Sequence, residues 1–296
     1  MPDLEFCRRA RRMIAAMANH RRPLVRLPVP ALAPLLFLFL ALPPVTLANT
    51  GQPVPRLDYE LLEQRARPGD HFTQGLFFDG ERWWESSGLF GRSWLAEYTD
   101  PTARPVRRKW LASDRFAEGL TVLDGQIYLL TYKAGELQRY RREDMSPLGR
   151  HYYTGEGWGL TSDGDQLIMS NGSDTLTFRD PDSFKVLREL KVTGGGEQWT
   201  LLNELEYAHG LIWANIWHDT RIIAIDPQSG AVRGSVDLQR LDPGSQHPDM
   251  VANGIAWDKA RNGLWVTGKF WPRLYLIRPQ GLGFGAPAGQ SGPGRS

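Results

Sequence analysis

Five short segments of this chain share one pattern, and a chain that repeats itself in this way buries its apolar faces by stacking like units side by side. The segments are Gln74-Gly75-Leu76, Glu118-Gly119-Leu120, Trp158-Gly159-Leu160, Asn203-Glu204-Leu205 and Asn253-Gly254-Ile255. Each has a polar or aromatic residue, a small or acidic one, then an apolar one. Their middle residues, 75, 119, 159, 204 and 254, lie 44, 40, 45 and 50 residues apart. A period of about 40 to 50 residues, with several strands in each unit, is that of a β-propeller blade. Every unit continues alike. A turn follows, such as Asp79-Gly80, Asp124-Gly125, Asp163-Gly164 or His209-Gly210, and then an apolar strand, as at 126–131 and 211–215. Third strands are predicted at 137–141, 176–180, 221–226 and 274–278, and turns such as Asp180-Pro181-Asp182 and Asp226-Pro227 lead to a fourth.

The fifth unit ends after its third strand, near Arg278, one strand short. Residues 57–66, ahead of the first repeat, read as a strand with no other partner. The sequence therefore predicts an all-β, five-bladed propeller whose ring is closed by an N-terminal strand completing the last blade, which removes an exposed sheet edge. The 31 glycines and 21 prolines are scattered rather than clustered, as many short strands and turns require. The propeller is expected to span residues 49–280. The Gly- and Pro-rich tail at 281–296 has no apolar periodicity and is expected to be disordered.

Residues 1–48 read differently. Arg8, Arg9, Arg11, Arg12, Arg21, Arg22 and Arg26 precede an apolar run from Ala31 to Leu42, and Thr46-Leu47-Ala48 offers small residues for a signal peptidase. This is the pattern of an export signal, so a periplasmic or secreted protein without stable membrane insertion is expected. The run is short for a bilayer span and contains Pro34, although an uncleaved anchor stays open. The basic stretch is long enough that translation could start at Met13 or Met17. The single cysteine, Cys7, precedes the apolar run, so the mature protein would lack disulfides, thiolate metal sites and a cysteine nucleophile. The formal net charge of +2, partly carried by these arginines, gives no electrostatic case for nucleic acid.

Symmetry indicates where chemistry could reside. If the five segments are equivalent, Gln74, Glu118, Trp158, Asn203 and Asn253 all begin the strand nearest the axis and converge on one spot. Fourteen residues further on, the next strand returns to the same face at Tyr132 and Trp217, and the comparable place in the last unit is Lys269. A mouth lined by one carboxylate, amides, aromatics and a lysine resembles a site for a small molecule or a peptide end.

Seven motifs in order carry a family resemblance. They are Phe72-Thr73-Gln74-Gly75-Leu76, Glu85-Ser86-Ser87-Gly88-Leu89, Glu118-Gly119-Leu120-Thr121, Gly157-Trp158-Gly159-Leu160, Asn203-Glu204-Leu205-Glu206, Ala214-Asn215-Ile216-Trp217 and Thr267-Gly268-Lys269-Phe270-Trp271-Pro272. Together they resemble the plant-type and bacterial glutaminyl-peptide cyclotransferases over nearly all of the mature chain. That family's fold is itself a five-bladed propeller, in agreement with the independent repeat count.

The resemblance implies conversion of an N-terminal glutamine of a peptide or protein to pyroglutamate with loss of ammonia. It implies Glu118 as general acid and base, with a pKa raised by desolvation among Trp158, Trp217 and Tyr132. Gln74 and Asn203 would then hydrogen-bond the amide or the α-amine, Trp158 and Trp217 would wall out water, and Lys269 would place a charge at the rim. The family commonly has Trp at the position of Tyr132, a change that keeps an aromatic wall and adds a hydroxyl. Residues 193–200, with Gly194-Gly195-Gly196 and Trp199, are expected near the mouth.

Each of these residues also has a plainer reading. Glu118 could be an ion-paired loop residue, the tryptophans could be blade packing, and Gln74 and Asn203 could satisfy backbone groups in turns. Glu85, Glu204 and Glu206 are open between structural, acidic and ion-binding roles. None of the six histidines shows zinc-site spacing, so no metal or cofactor is expected to be required, while a structural calcium or other ion in the channel would leave no signature. Phosphate-loop, dinucleotide and Gly-x-Ser-x-Gly motifs are absent. Two alternatives remain: a non-catalytic propeller binding a peptide or protein partner, and a metal-dependent, lactonase-like propeller, which would need more carboxylates at the mouth. A closed ring requires no partner, so a monomer is expected.

Overall fold

In a computed structural model that describes residues 52–67, 70–244 and 247–285, the chain is an all-β, five-bladed propeller. The export segment expected at 1–48 lies outside the described residues. Blade 1 comprises Thr73–Phe78, Trp83–Ser87, Trp94–Tyr98 and Arg107–Trp110, paired antiparallel in chain order. Blade 2 runs through Ala117–Leu123, Gln126–Thr131, Glu136–Arg141 and Pro147–Tyr152, and blade 3 through Leu160–Ser162, Leu167–Met169, Thr175–Arg179 and Val186–Lys191. Blade 4 is built from Leu202–Ala208, Leu211–Ile216, Arg221–Ile225 and Val232–Asp237.

Blade 5 has three consecutive strands, Ala252–Asp258, Gly263–Gly268 and Arg273–Pro279, and its fourth is the N-terminal Tyr59–Ala66, antiparallel to Arg273–Pro279. The closure expected from the sequence is therefore present. It is also doubled: Arg56–Leu57 pairs parallel with Val232–Asp237, adding a fifth strand to blade 4. The start of the chain thus clasps two blades. Arg67, just past the closing strand, is ion-paired with the buried Glu85 of blade 1, which also accepts from Thr73 Oγ1 at 2.9 Å and contacts His71 Nδ1 at 3.1 Å.

Five apolar clusters hold the ring, each shared by two neighbouring blades. One joins Trp83 and Trp94 of blade 1 to Trp265, Leu274 and Leu276 of blade 5, and another joins Trp84 and Leu95 to Leu120, Ile127 and Leu129 of blade 2. Three further clusters, around Leu167, Leu202 and Trp213, complete the circuit. Inner strands are buried on both faces because they stack against neighbouring sheets, whereas the outermost strands are largely exposed. Each fully buried large apolar side chain stabilises this arrangement by about 1.5–3 kcal/mol.

The repeated glycine has a steric cause. A Cβ on Gly75 would lie 2.5 Å from Leu120 N, one on Gly119 would lie 2.4 Å from Leu160 N, and one on Gly159 would lie 2.0 Å from Asn203 O. At these three positions the backbone is pressed against the backbone of the next inner strand, which only glycine permits.

The tail departs from expectation at its start. Gly281 and Phe284 form a β-bridge, and Phe284 is buried against His209 and Trp213, because an aromatic ring there completes the cluster between blades 4 and 5. Residues 286–296 lie outside the described residues.

Candidate active site

Four of the five innermost strands begin with a register shift, between Thr73 and Gly75, Ala117 and Leu120, Leu202 and Leu205, and Ala252 and Ile255. These irregularities contain Gln74, Glu118, Asn203 and Asn253. An extra residue in one strand of an antiparallel pair is left out of the ladder and its side chain is re-aimed, which frees these four from the ordinary alternation of a sheet. Second-strand side chains hold the distorted backbone. Ser86 Oγ donates to Glu118 O at 2.5 Å, Ser170 Oγ donates to Asn203 O at 2.6 Å, and Asn215 Oδ1 accepts from Gly254 N at 2.9 Å.

Glu118 is 2% exposed and forms no salt bridge among the described residues. Burial pushes its carboxyl well above the usual carboxylate range, the positive charge of Lys269 opposes that rise, and the negative charge of Glu156 adds to it. Lys269, also 2% exposed, follows the second strand of blade 5 and sets its Nζ 4.8 Å from the centre of the Phe72 ring. An acid whose proton affinity is raised by burial, with a cation near enough to oppose that rise, can move a proton and stabilise a developing negative charge.

The remaining residues form a circuit of contacts that crosses all five blades. Trp217 meets Trp158 edge to face with centroids 5.7 Å apart, and Trp158 Nε1 donates to Glu156 at 3.1 Å. Glu156 lies 3.8 Å from Lys133 Nζ, which in turn sits 4.7 Å from the centre of the Tyr132 ring. Tyr132 approaches Phe116 at 6.0 Å, Phe116 meets Phe72 at 6.0 Å, and Phe72 carries Lys269. Gln74 joins through its Oε1, which accepts from Asn253 Nδ2 at 3.2 Å, and through Gly88, whose Cα faces both Gln74 and Phe116. Asn203 lies at the start of the inner strand of blade 4 and is buried, and no hydrogen bond from its side chain joins it to this circuit among the described residues.

Four members of this neighbourhood go unnoticed in the sequence. Phe72 and Phe116 stand two residues before Gln74 and Glu118, and Glu156 stands two before Trp158, so the repeat itself carried the signal one alternation upstream. Tyr153 is the fourth: its hydroxyl donates to Thr131 O at 2.5 Å, burial raises its pKa, and the nearby Glu118 charge raises it further.

Trp199, expected near the mouth, packs instead into the cluster between blades 3 and 4, and its indole donates to Gly194 O at 3.0 Å within a small hairpin. Glu85 is structural, and its buried partners Arg67 and His71 outweigh burial to hold it down at about 2. Glu204 and Glu206 are buried and serve backbone groups of other blades. Glu204 accepts from Leu76 N at 3.2 Å and from Ile255 N at 2.9 Å, and Glu206 accepts from Trp257 N at 3.0 Å. Among the described residues, no group of three or more His, Cys, Asp or Glu is arranged to hold a metal ion.

Comparison with known proteins shows the family and the fold. A family model for glutamine cyclotransferase matches residues 35–278. A glutaminyl-peptide cyclotransferase of Arabidopsis thaliana is 34% identical over 228 residues, which is 75% of this chain and 71% of the relative. The crystal structure of Myxococcus xanthus glutaminyl cyclase matches with a TM-score of 0.71 at 35% identity, over 77% of this chain and 99% of that one.

Proposed function

The chain belongs to the glutamine cyclotransferase family, and on that premise we propose that Glu118 is the general acid and base of its reaction. The protein is an enzyme, a glutaminyl-peptide cyclotransferase, which converts the N-terminal glutamine of peptides and proteins to pyroglutamate. The α-amino nitrogen attacks the side-chain amide carbon, the new C–N bond closes a five-membered lactam, and the original amide nitrogen leaves as ammonia. As the α-nitrogen attacks it loses one proton, and the leaving nitrogen gains one. A single carboxyl group can take the first and return it as the second.

The observation that carries this reading is a fully buried carboxyl group at the start of an inner strand, with its proton affinity raised by burial and no salt bridge to quench it. Lys269 would stabilise the oxyanion that forms on the amide oxygen. Gln74 and Asn203 would orient the amide and the amine, and Trp158, Trp217 and Tyr132 would exclude water. Because the reaction is intramolecular, holding the glutamine side chain in the reactive rotamer supplies much of the acceleration. No step requires a metal. We also read residues 1–48 as an export signal, which places the enzyme in the periplasm or outside the cell.

The test is ammonia release and mass loss from a glutamine-initiated peptide, with parent protein and Glu118→Gln, each with and without chelator. Cyclisation that is insensitive to chelator and falls at least about a hundredfold in a folded Glu118→Gln bears the reading out. An undiminished Glu118→Gln overturns it.

A further inference from the structure

Beside the mouth, on the outer part of blade 1, lies a second recess of about 300 Å³. Its walls are basic and aromatic. Arg92, Arg104 and Arg108 border it together with Trp94, Tyr98 and Trp110. The sequence Arg107-Arg108 shows how it is built, because successive side chains of a strand point to opposite faces. Arg107 pairs with Glu97 at 2.8 Å, whereas Arg108 turns to the recess and lies over Trp94 at 4.7 Å and Trp110 at 5.6 Å.

Among the described residues none of these three recess arginines forms a salt bridge, and the one carboxylate bordering the recess is Asp70. Trp110 is 60% exposed, so its indole has a broad face open to solvent beside Arg108. Tyr98 is buried beside Arg108, whose guanidinium is its hydroxyl's neighbour, so the two form one polar wall of the recess.

The recess and the mouth share their dividing wall. His71, Gly88 and Leu89 border the recess. Gly88 backs onto Gln74 and Phe116, and His71 immediately precedes Phe72, over which Lys269 is held. The recess therefore adjoins the mouth through a wall one residue thick at Gly88.

We propose that this recess is a substrate subsite, which binds acidic side chains of the peptide downstream of its N-terminal glutamine. The inference rests on the cyclotransferase reading of the mouth and adds a preference among substrates. Unpaired guanidinium groups recognise carboxylates in a bidentate manner, and the indoles give the substrate backbone an apolar surface to lie on.

The experiment uses the full chain and three sets of glutamine-initiated octapeptides, in which a pair of glutamates, lysines or serines is stepped from the third position to the eighth. The dipeptide Gln-Ala, too short to reach the recess, is the control. At low ionic strength the glutamate series should show a KM minimum at one position, about five- to tenfold below that of the lysine series, and salt should erase the difference. Arg92→Ala/Arg104→Ala should abolish that minimum and leave Gln-Ala turnover unchanged. Arg104→Glu, a single exposed change, should reverse the preference. Equal KM across the three series with normal Gln-Ala turnover overturns the subsite and leaves the cyclotransferase reading intact. Failure of Gln-Ala turnover strikes the latter instead. The subsite is then decided by tryptophan fluorescence on titrating the same peptides, where position-dependent binding of the glutamate series supports it and equal binding by all three overturns it.

Discussion

The Glu204 carboxyl of blade 4 accepts the backbone N–H of Ile255 in blade 5 with one oxygen, at 2.9 Å, and that of Leu76 in blade 1 with the other, at 3.2 Å. It stands where the other four repeats have glycine, so the one exception to the pattern spans the junction between the last blade and the first. Glu204→Gln replaces one acceptor oxygen with a donor facing another donor. Urea unfolding should show a loss of about 1–3 kcal/mol, and an unchanged midpoint would mean that these bonds contribute nothing.

Glu206 gives a pH signature. Burial raises its carboxyl to about 8 against the opposing N–H groups of Trp257 and Tyr207 and the Thr161 hydroxyl. The folded protein therefore holds this proton more tightly than the unfolded chain, so the contribution is complete below the ordinary carboxylate pKa and is lost as pH rises towards 8. Glu206→Gln retains an acceptor and cannot ionise. Near pH 5 it should match the parent, and above pH 8 it should exceed the parent's stability by up to about 5 kcal/mol. A constant difference between the variants across that range, measured by denaturant titration, contradicts this.

Lys269→Met tests the coupling at the mouth. The Lys269 charge lowers the proton affinity of Glu118, so its removal should move to higher pH the limb of the kcat profile that the proposed role assigns to Glu118. Loss of rate with no movement of that limb would assign Lys269 a role in binding alone.

Trp158→Phe keeps an aromatic face towards Trp217 but loses the indole bond to Glu156. Edge-to-face pairs contribute about 0.5–1.5 kcal/mol, so KM should rise roughly two- to tenfold while kcat changes little. An equal fall in kcat would place Trp158 in the chemical step.

The ring was legible because blade stacking imposes a sterically forced residue at a fixed place in each unit. Gly75, Gly119 and Gly159 recur since the next backbone leaves no room for a Cβ. Ring closure followed from counting strands. The parallel strand Arg56–Leu57 did not, because two residues carry no periodicity, and the burial of Phe284 was hidden in a Gly- and Pro-rich segment. At the proposed mouth, Glu118, Trp158, Trp217, Tyr132 and Lys269 were singled out by equivalence between repeats. Phe72, Phe116 and Glu156 were missed because a plain aromatic or acidic residue looks the same in sequence whether it serves packing or a site. Gln74 remained open between site and scaffold for a reason now visible: Asn253 holds its oxygen at 3.2 Å.

Glu60 and Arg278 face each other across the closing pair, 218 residues apart in the chain. During synthesis Tyr59–Ala66 must wait for Arg273–Pro279. Until that strand has emerged, the fifth blade is incomplete and the ring is an open arc. Contacts this distant in sequence are slow to form, so the arc is the state in which a chaperone would meet the protein, and the closing strand is the step that ends its vulnerability to aggregation. Removing Tyr59–Ala66 would leave Arg273–Pro279 as a permanently unpaired sheet edge on blade 5.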